Sequence, residues 1–193
     1  MPKLSETTFD AWQLGEVQTS SKGVRSASLT ADGRPIVLQL TPQAEPLTTP
    51  FGASSFNGEE TNRKTLDLRV TPELQEFLGR LDDWACLYLA DNSERLFKGK
   101  VPEYRPCLQR KGEYTPTVRC KLNVAGQKAC RFWSDRFEKI EMPADLRECG
   151  LVPRVQAKSL YVMGREVGLV LEVTDLLCVL PTETCPFAEA SFD

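Results

Sequence analysis

The sequence predicts a mainly β (α+β) fold, an OB-like small antiparallel barrel with one inserted helix near 72–91. Three observations carry this expectation. Gly and Pro punctuate the chain often, with 12 and 13 copies in 193 residues. The intervals between them mostly alternate apolar and polar residues with the period-two signature of strands. A single stretch breaks that rhythm with apolar residues at three-and-four spacing. Seven or so short strands with turn signals and one helix suit a small barrel or sandwich.

The elements follow in order. Residues 9–19 (FDAWQLGEVQT) read as a first strand. Residues 24–30 and 36–40 flank Asp32-Gly33 and read as a hairpin, because Asp-Gly supplies the positive φ angles of a tight turn. Residues 41–63 are polar and rich in Gly and Pro, hence a long loop. In 64–70 (KTLDLRV), Leu66, Leu68 and Val70 point one way and the charged residues mostly away. Thr71 is an N-cap candidate and Pro72 suits the first helical turn. Leu74, Phe77, Leu78, Leu81, Ala85 and Leu89 then form an apolar stripe for a helix over 72–91 that packs on a sheet. Residues 99–112 read as a loop. Residues 113–122 and 128–133 read as two strands around a turn at 124–127, with Pro116 marking an edge or bulge. A short helix is expected in 142–149. The clearest hairpin joins 153–162 to 167–175 through 163–166. After Thr174 the pattern fades.

Hydrophobic content of 41% and charged content of 26% are ordinary for a globular protein. The expected organisation is one β-rich domain over 1–180 and an acidic, flexible tail over 181–193. No apolar run approaches the roughly 18 residues of a membrane span, and the opening MPKLSETTFDAW lacks a signal-peptide core. The expectation is therefore an intracellular protein, nuclear or cytoplasmic, with no membrane partner. Seven cysteines at scattered spacing (86, 107, 120, 130, 149, 178 and 185) fit reduced thiols, mostly small buried residues. Cys120 and Cys130 could face each other across a hairpin.

The chain has no histidine. That removes Ser-His-Asp and Cys-His nucleophile pairs, His-containing metal sites and the commonest neutral-pH general base. Asp82-Asp83 are neighbours on a helix and do not converge, and Glu59-Glu60 read as a solvated loop pair. No GxxxxGK[ST] or GxGxxG motif is present. Cys120 has cationic sequence neighbours, but on the opposite face of its strand. No catalytic residue, metal ligand or cofactor is expected.

Charge distribution is more telling than the net charge of −3. Residues 95–139 hold twelve Lys/Arg against four Asp/Glu, a net +8, which leaves −11 for the rest. The basic stretch also carries Phe97, Tyr104, Tyr114, Phe132, Trp133 and Phe137. Cations that follow phosphates and aromatic faces that stack on bases are the combination that binds single strands. The candidate binding residues are Lys98, Lys100, Arg105, Arg110, Lys111, Arg119, Lys121, Arg131, Trp133, Lys158 and Tyr161. Arg119 and Lys121 share one strand face, Arg131 and Trp133 share another, and the two strands would form a basic ribbon. From residue 166 onward there are six acids and no basic residue. Glu183, Phe187, Glu189, Phe192 and Asp193 form a candidate regulatory tail that competes for the cationic groove or recruits replication proteins.

Several short motifs occur in a suggestive order: Pro50-Phe51-Gly52, then 64–68 (KTLDL), Leu81-Asp82, 114–122 (YTPTVRCKL), and finally Ser159-Leu160, Gly164, Gly168-Leu169 and Glu172-Val173. Over roughly 9–179 the chain resembles a family of large DNA viruses of algae and protists that is compared with single-stranded-DNA-binding proteins of OB type. The resemblance touches Arg119 and Lys121, and it implies binding rather than catalysis. The expected function is non-catalytic binding of single-stranded DNA or RNA in replication or recombination, at a viral replication site if the protein is viral. Homo-oligomers are a further expectation. The alternative is a protein-interaction or structural nucleoprotein or virion component, with basic face meeting acidic face.

Overall fold

A computed structural model describes residues 4–21, 23–55 and 62–180; the predicted tail and Glu59-Glu60 lie outside them. The architecture is mostly β, one open mixed sheet with two helices. Its centre is a long antiparallel hairpin, β12 (Gly150–Met163) and β13 (Glu166–Val179). The predicted hairpin is therefore present, with its turn at Gly164-Arg165. It also extends past Thr174, where the pattern fades. Leu176 and Cys178 are buried there, so residues 176–179 continue the strand.

Each edge of this hairpin is lined by successive short segments. Along β12 lie β3 (Arg25–Ala31) and then β4 (Ile36–Gln39), both antiparallel to it. Along β13 lie β7 (Glu103–Arg105), β9 (Thr117–Asn123) and β10 (Arg131–Ser134), all parallel to it. Farther out, β1 (Trp12–Leu14) and β2 (Gln18–Thr19) pair with β3. On the other side β6 (Arg63–Arg69) pairs with β9 and β5 (Ala53–Ser54) with β6. The short strands β8 (Leu108–Gln109) and β11 (Lys139–Ile140) pair with β9 and β10.

Several expectations are corrected. The main strand order runs from β1 to β5 without pairing those ends, so the barrel is not closed, and the three parallel neighbours of β13 make the sheet mixed rather than antiparallel. The Asp32-Gly33 turn forms as expected, with φ of 49° and 72°, and Ala31 and Arg34 exchange both backbone bonds. Its flanking strands do not otherwise pair, because both take β12 as their neighbour. Likewise β9 and β10 form no ribbon. The Cys130 N–H donates to the Asn123 carbonyl at 2.7 Å, closing the turn so that β10 resumes the direction of β9 along β13. Finally, loops expected at 41–63 and 99–112 contain β5, β7 and β8. The helix expected within 142–149 is a single 3-10 turn at Leu146–Glu148.

Helix α1 (Pro72–Asp91) matches the expected bounds, and its six predicted stripe residues are its buried ones. The Thr71 hydroxyl accepts from the Leu74 N–H at 3.3 Å, capping it. Opposite α1, Leu66 and Leu68 of β6, with Val118, Cys120 and Leu122 of β9, join the core. The N-terminal segment is clamped to α1 by Arg80, which donates to the carbonyls of Leu4 and Thr7 and lies over the rings of Phe9 and Phe77. A short helix α2 (Ser93–Phe97) follows. No helix among the described residues is long and apolar enough to cross a membrane.

Candidate nucleic-acid interface

Strand alternation sends every second residue of β6, β9 and β13 away from the core. The register places these outer residues in rows: Arg69 beside Thr117, Asp67 beside Arg119, Thr65 beside Lys121, and Lys121 in turn beside Glu172. Arg119 and Lys121 thus share a face, as expected. Arg105 of β7, Arg119 and Lys121 of β9 and Tyr161 of β12, four predicted residues from three strands, line one groove of about 220 Å3 with Thr65 and Gln109. Tyr161 lies against Gly168, its strand partner. A Cβ at Gly168 would meet the tyrosine ring at 2.8–3.0 Å, so this glycine makes room for the ring.

Gln109 also lines a second groove, of about 540 Å3, with Pro50, Phe51, Asp67, Arg69, Lys111 and Tyr114. Tyr114 is 84% exposed and Phe51 67% exposed. Two solvated rings and two cations therefore adjoin the first groove. Of these only Lys111 is among the predicted site residues. Tyr114 stands in the basic stretch. Phe51 had one legible signal, an aromatic between Pro and Gly in a polar loop with no periodicity to bury it.

Carboxylates reach four of the nine predicted cations. Arg119 makes a two-pronged bond to Asp67 at 2.7 and 2.8 Å, and the Asp67 side chain is only 8% exposed. Arg131 binds Asp175 at 2.8 and 2.9 Å. Lys158 binds Glu172 at 2.7 Å, and Arg105 binds Glu166. The Arg105 bond holds the Glu166 carboxyl below its ordinary pKa. Burial pushes Asp175 up, but bonds from Arg131, Trp133 and Thr174 outweigh it and leave the carboxyl lowered.

Lys121 stands apart. Among the described residues no carboxylate is within ion-pair distance of it. Burial, then the charge of Arg63, lowers its pKa; Glu172 partly opposes this, and Lys158 adds to it. A partly desolvated ammonium among like charges is a place where an added anion gains most.

Arg131 and Trp133 share a face too, and both bind Asp175, the indole Nε1 donating at 3.1 Å. They line a separate groove of about 460 Å3 along β10 and the far end of β13. Lys158 lines a further polar groove with Gly15 and Ser28. Lys98, Lys100 and Arg110 are exposed in connections and line none of these four grooves. Lys98 ends α2 in the left-handed conformation.

Of the six described cysteines, Cys120, Cys130, Cys149 and Cys178 are buried, Cys107 is half-buried and Cys86 is exposed. Burial first, and Asp67 second, push Cys120 up to about 12, and Cys130 and Cys178 also rise to about 12, mainly through burial. Such thiols stay protonated near neutral pH and are poor nucleophiles. All six described cysteines are free, Cys120 and Cys130 included. Asp82 is engaged structurally, accepting from the Tyr104 hydroxyl and the Cys107 N–H at 2.8 Å and the Leu108 N–H at 3.2 Å. No cluster among the described residues could hold a metal ion.

No family model and no curated protein matches the chain. Similar solved structures, at low identity, include two bacteriophage proteins. The crystal structure of gp2.5, a single-stranded DNA binding protein encoded by bacteriophage T7, has a TM-score of 0.47 and 14% identity. That match covers 78% of this chain and 90% of that one. The single-stranded DNA-binding protein from bacteriophage Enc34 has a TM-score of 0.45 and 8% identity, covering 94% and 96%.

Proposed function

We propose that the chain binds single-stranded nucleic acid, without catalysis, along the outer face of β6, β9, β12 and β13. The observation that carries this reading is the adjacency of the groove that holds Lys121, a cation outside ion-pair distance of any described carboxylate, to the groove that holds exposed Phe51 and Tyr114. Phosphates lie near Lys121, Arg69 and Lys111, while bases stack on the two rings. The paired cations Arg119 and Arg105 exchange carboxylate for phosphate as the strand enters. A role in replication or recombination, and kinship with the viral family that shares the motif order, belong to the same reading. So does the tail beyond residue 180, whose acids compete with phosphate for these grooves.

A titration with oligo-dT tests it. Lys121→Glu abolishes binding at moderate salt. Tyr114→Ala weakens it about 5- to 150-fold, the equivalent of ~1–3 kcal/mol for one stacked base. Tyr114 is largely exposed, so Tyr114→Ala leaves the thermal transition in place. Removal of 181–193 tightens binding. Wild-type affinity in Lys121→Glu would falsify the reading and favour the alternative, in which the salt-bridged face docks a protein.

A further inference from the structure

The hairpin of β10 and β11 turns through Asp135, Arg136 and Phe137. The Phe137 N–H donates to the Ser134 carbonyl at 3.0 Å, and the Ser134 N–H to the Glu138 carbonyl at 2.9 Å. Three-residue hairpin loops of this kind end on a left-handed residue, where glycine is usual. Here the position holds Phe137, at φ 61°. A bulky side chain in that region is an outlier, and such strain concentrates where a side chain is needed for function. The ring is also 64% exposed, so packing into the core does not explain it.

Phe137 stands at the groove of about 460 Å3 lined by Trp133, Arg131, Arg154, Val152 and Leu177. Asp175 fixes the other aromatic: its Oδ1 accepts from the Trp133 indole while the same carboxylate holds Arg131. Arg154 stands opposite Asp175 in the β12–β13 register, yet no described carboxylate is within ion-pair distance of it. The groove therefore combines an oriented indole, a second ring presented against conformational preference, an apolar wall and an unneutralised guanidinium. That set matches an unpaired base with its phosphate: ring faces for stacking and a cation for the charge.

We infer that Trp133 and Phe137 form a second base-stacking subsite, separate from the Lys121 groove and the Tyr114 groove beside it, with Arg154 receiving the adjoining phosphate. Asp175 is a positioning residue for the indole. This rests on the proposed single-strand binding and adds where a second stretch of strand is held. Along β13 the two regions are centred on Glu172 and Leu177, the partners of Lys121 and Trp133. Five residues of strand separate them by about 16 Å, so one strand can occupy both.

The test uses the intact chain with oligo-dT of about 16 nucleotides, the upper end of site sizes for such folds. Binding quenches the fluorescence that Trp133→Phe removes; Trp12 and Trp84 serve as the unaffected background. Phe137→Gly relieves the left-handed strain and removes the ring, so it raises Tm and weakens oligo-dT binding at least about fivefold. Phe137→Ala weakens binding similarly without the gain in Tm. Unchanged affinity in Phe137→Gly, with binding still abolished by Lys121→Glu, overturns the subsite and leaves the wider reading intact. A lower Tm in Phe137→Gly overturns it as well, because the ring is then structural. Failure of the wild-type chain to bind oligo-dT overturns both.

Discussion

Asp67, Glu172 and Asp175 are buried acids on a face otherwise rich in cations, and each already holds one of them. They decide which positive charges are available to a ligand. Asp67→Asn frees Arg119 for phosphate and weakens the two-pronged bond. Oligo-dT binding tightens, while stability falls by about 1 kcal/mol, since Arg119 is half exposed and water screens the pair. Chemical denaturation and titration of the same variant check both signs. Asp175 adds a pH dependence. Its carboxyl is lowered in the folded chain, so its contribution to stability is present above the ordinary carboxylate range. That contribution is lost as pH falls below 3.8 and through the folded value. Thermal melts from pH 5 down to pH 2 show a smaller loss for Asp175→Asn than for the parent chain. Equal losses would show that Asp175 does not titrate in this window.

The elements differ in how far the sequence discloses them. Helix α1 is legible to the residue, because its stripe, cap and N-terminal proline are all local signals. Thr71→Ala lowers stability by about 1 kcal/mol, a fall in Tm of about 2–4 °C in a thermal melt. The sheet order is not legible. Local alternation marks strands, but the choice of partner is made by β12 and β13, which are long enough to accept two or three short segments end to end. The same holds for the site. Period two puts Arg119 and Lys121 on one face from sequence alone. Nothing local reveals that Arg119 meets Asp67 52 residues away, or that Arg131 meets Asp175 44 residues away. Asp82 shows the same point: an apparent acidic pair on a helix is an anchor for Tyr104, Cys107 and Leu108. Asp82→Ala leaves three donors without their acceptor and destabilises the fold by about 2–3 kcal/mol, measurable by denaturant unfolding.

At the scale of the whole molecule, a net charge of −3 conceals a divided chain: the middle is strongly basic and the remainder strongly acidic. Folding refines that division. It neutralises Arg105, Arg119, Arg131 and Lys158 internally, and leaves Lys121, Arg69, Lys111 and Arg154 on the outer face beside exposed rings. Attraction for a polyanion then depends on a few uncompensated cations. The affinity of oligo-dT as a function of salt, for the parent chain and Lys121→Glu at concentrations where both bind, measures this directly. In the parent, log affinity falls linearly with log salt, with a slope of about −0.7 for each phosphate engaged. Lys121→Glu binds more weakly, with a slope shallower by about one phosphate's worth. A parent affinity that does not change with salt, or a slope that Lys121→Glu leaves untouched, would contradict the claim that the outer face holds a single strand through its phosphates.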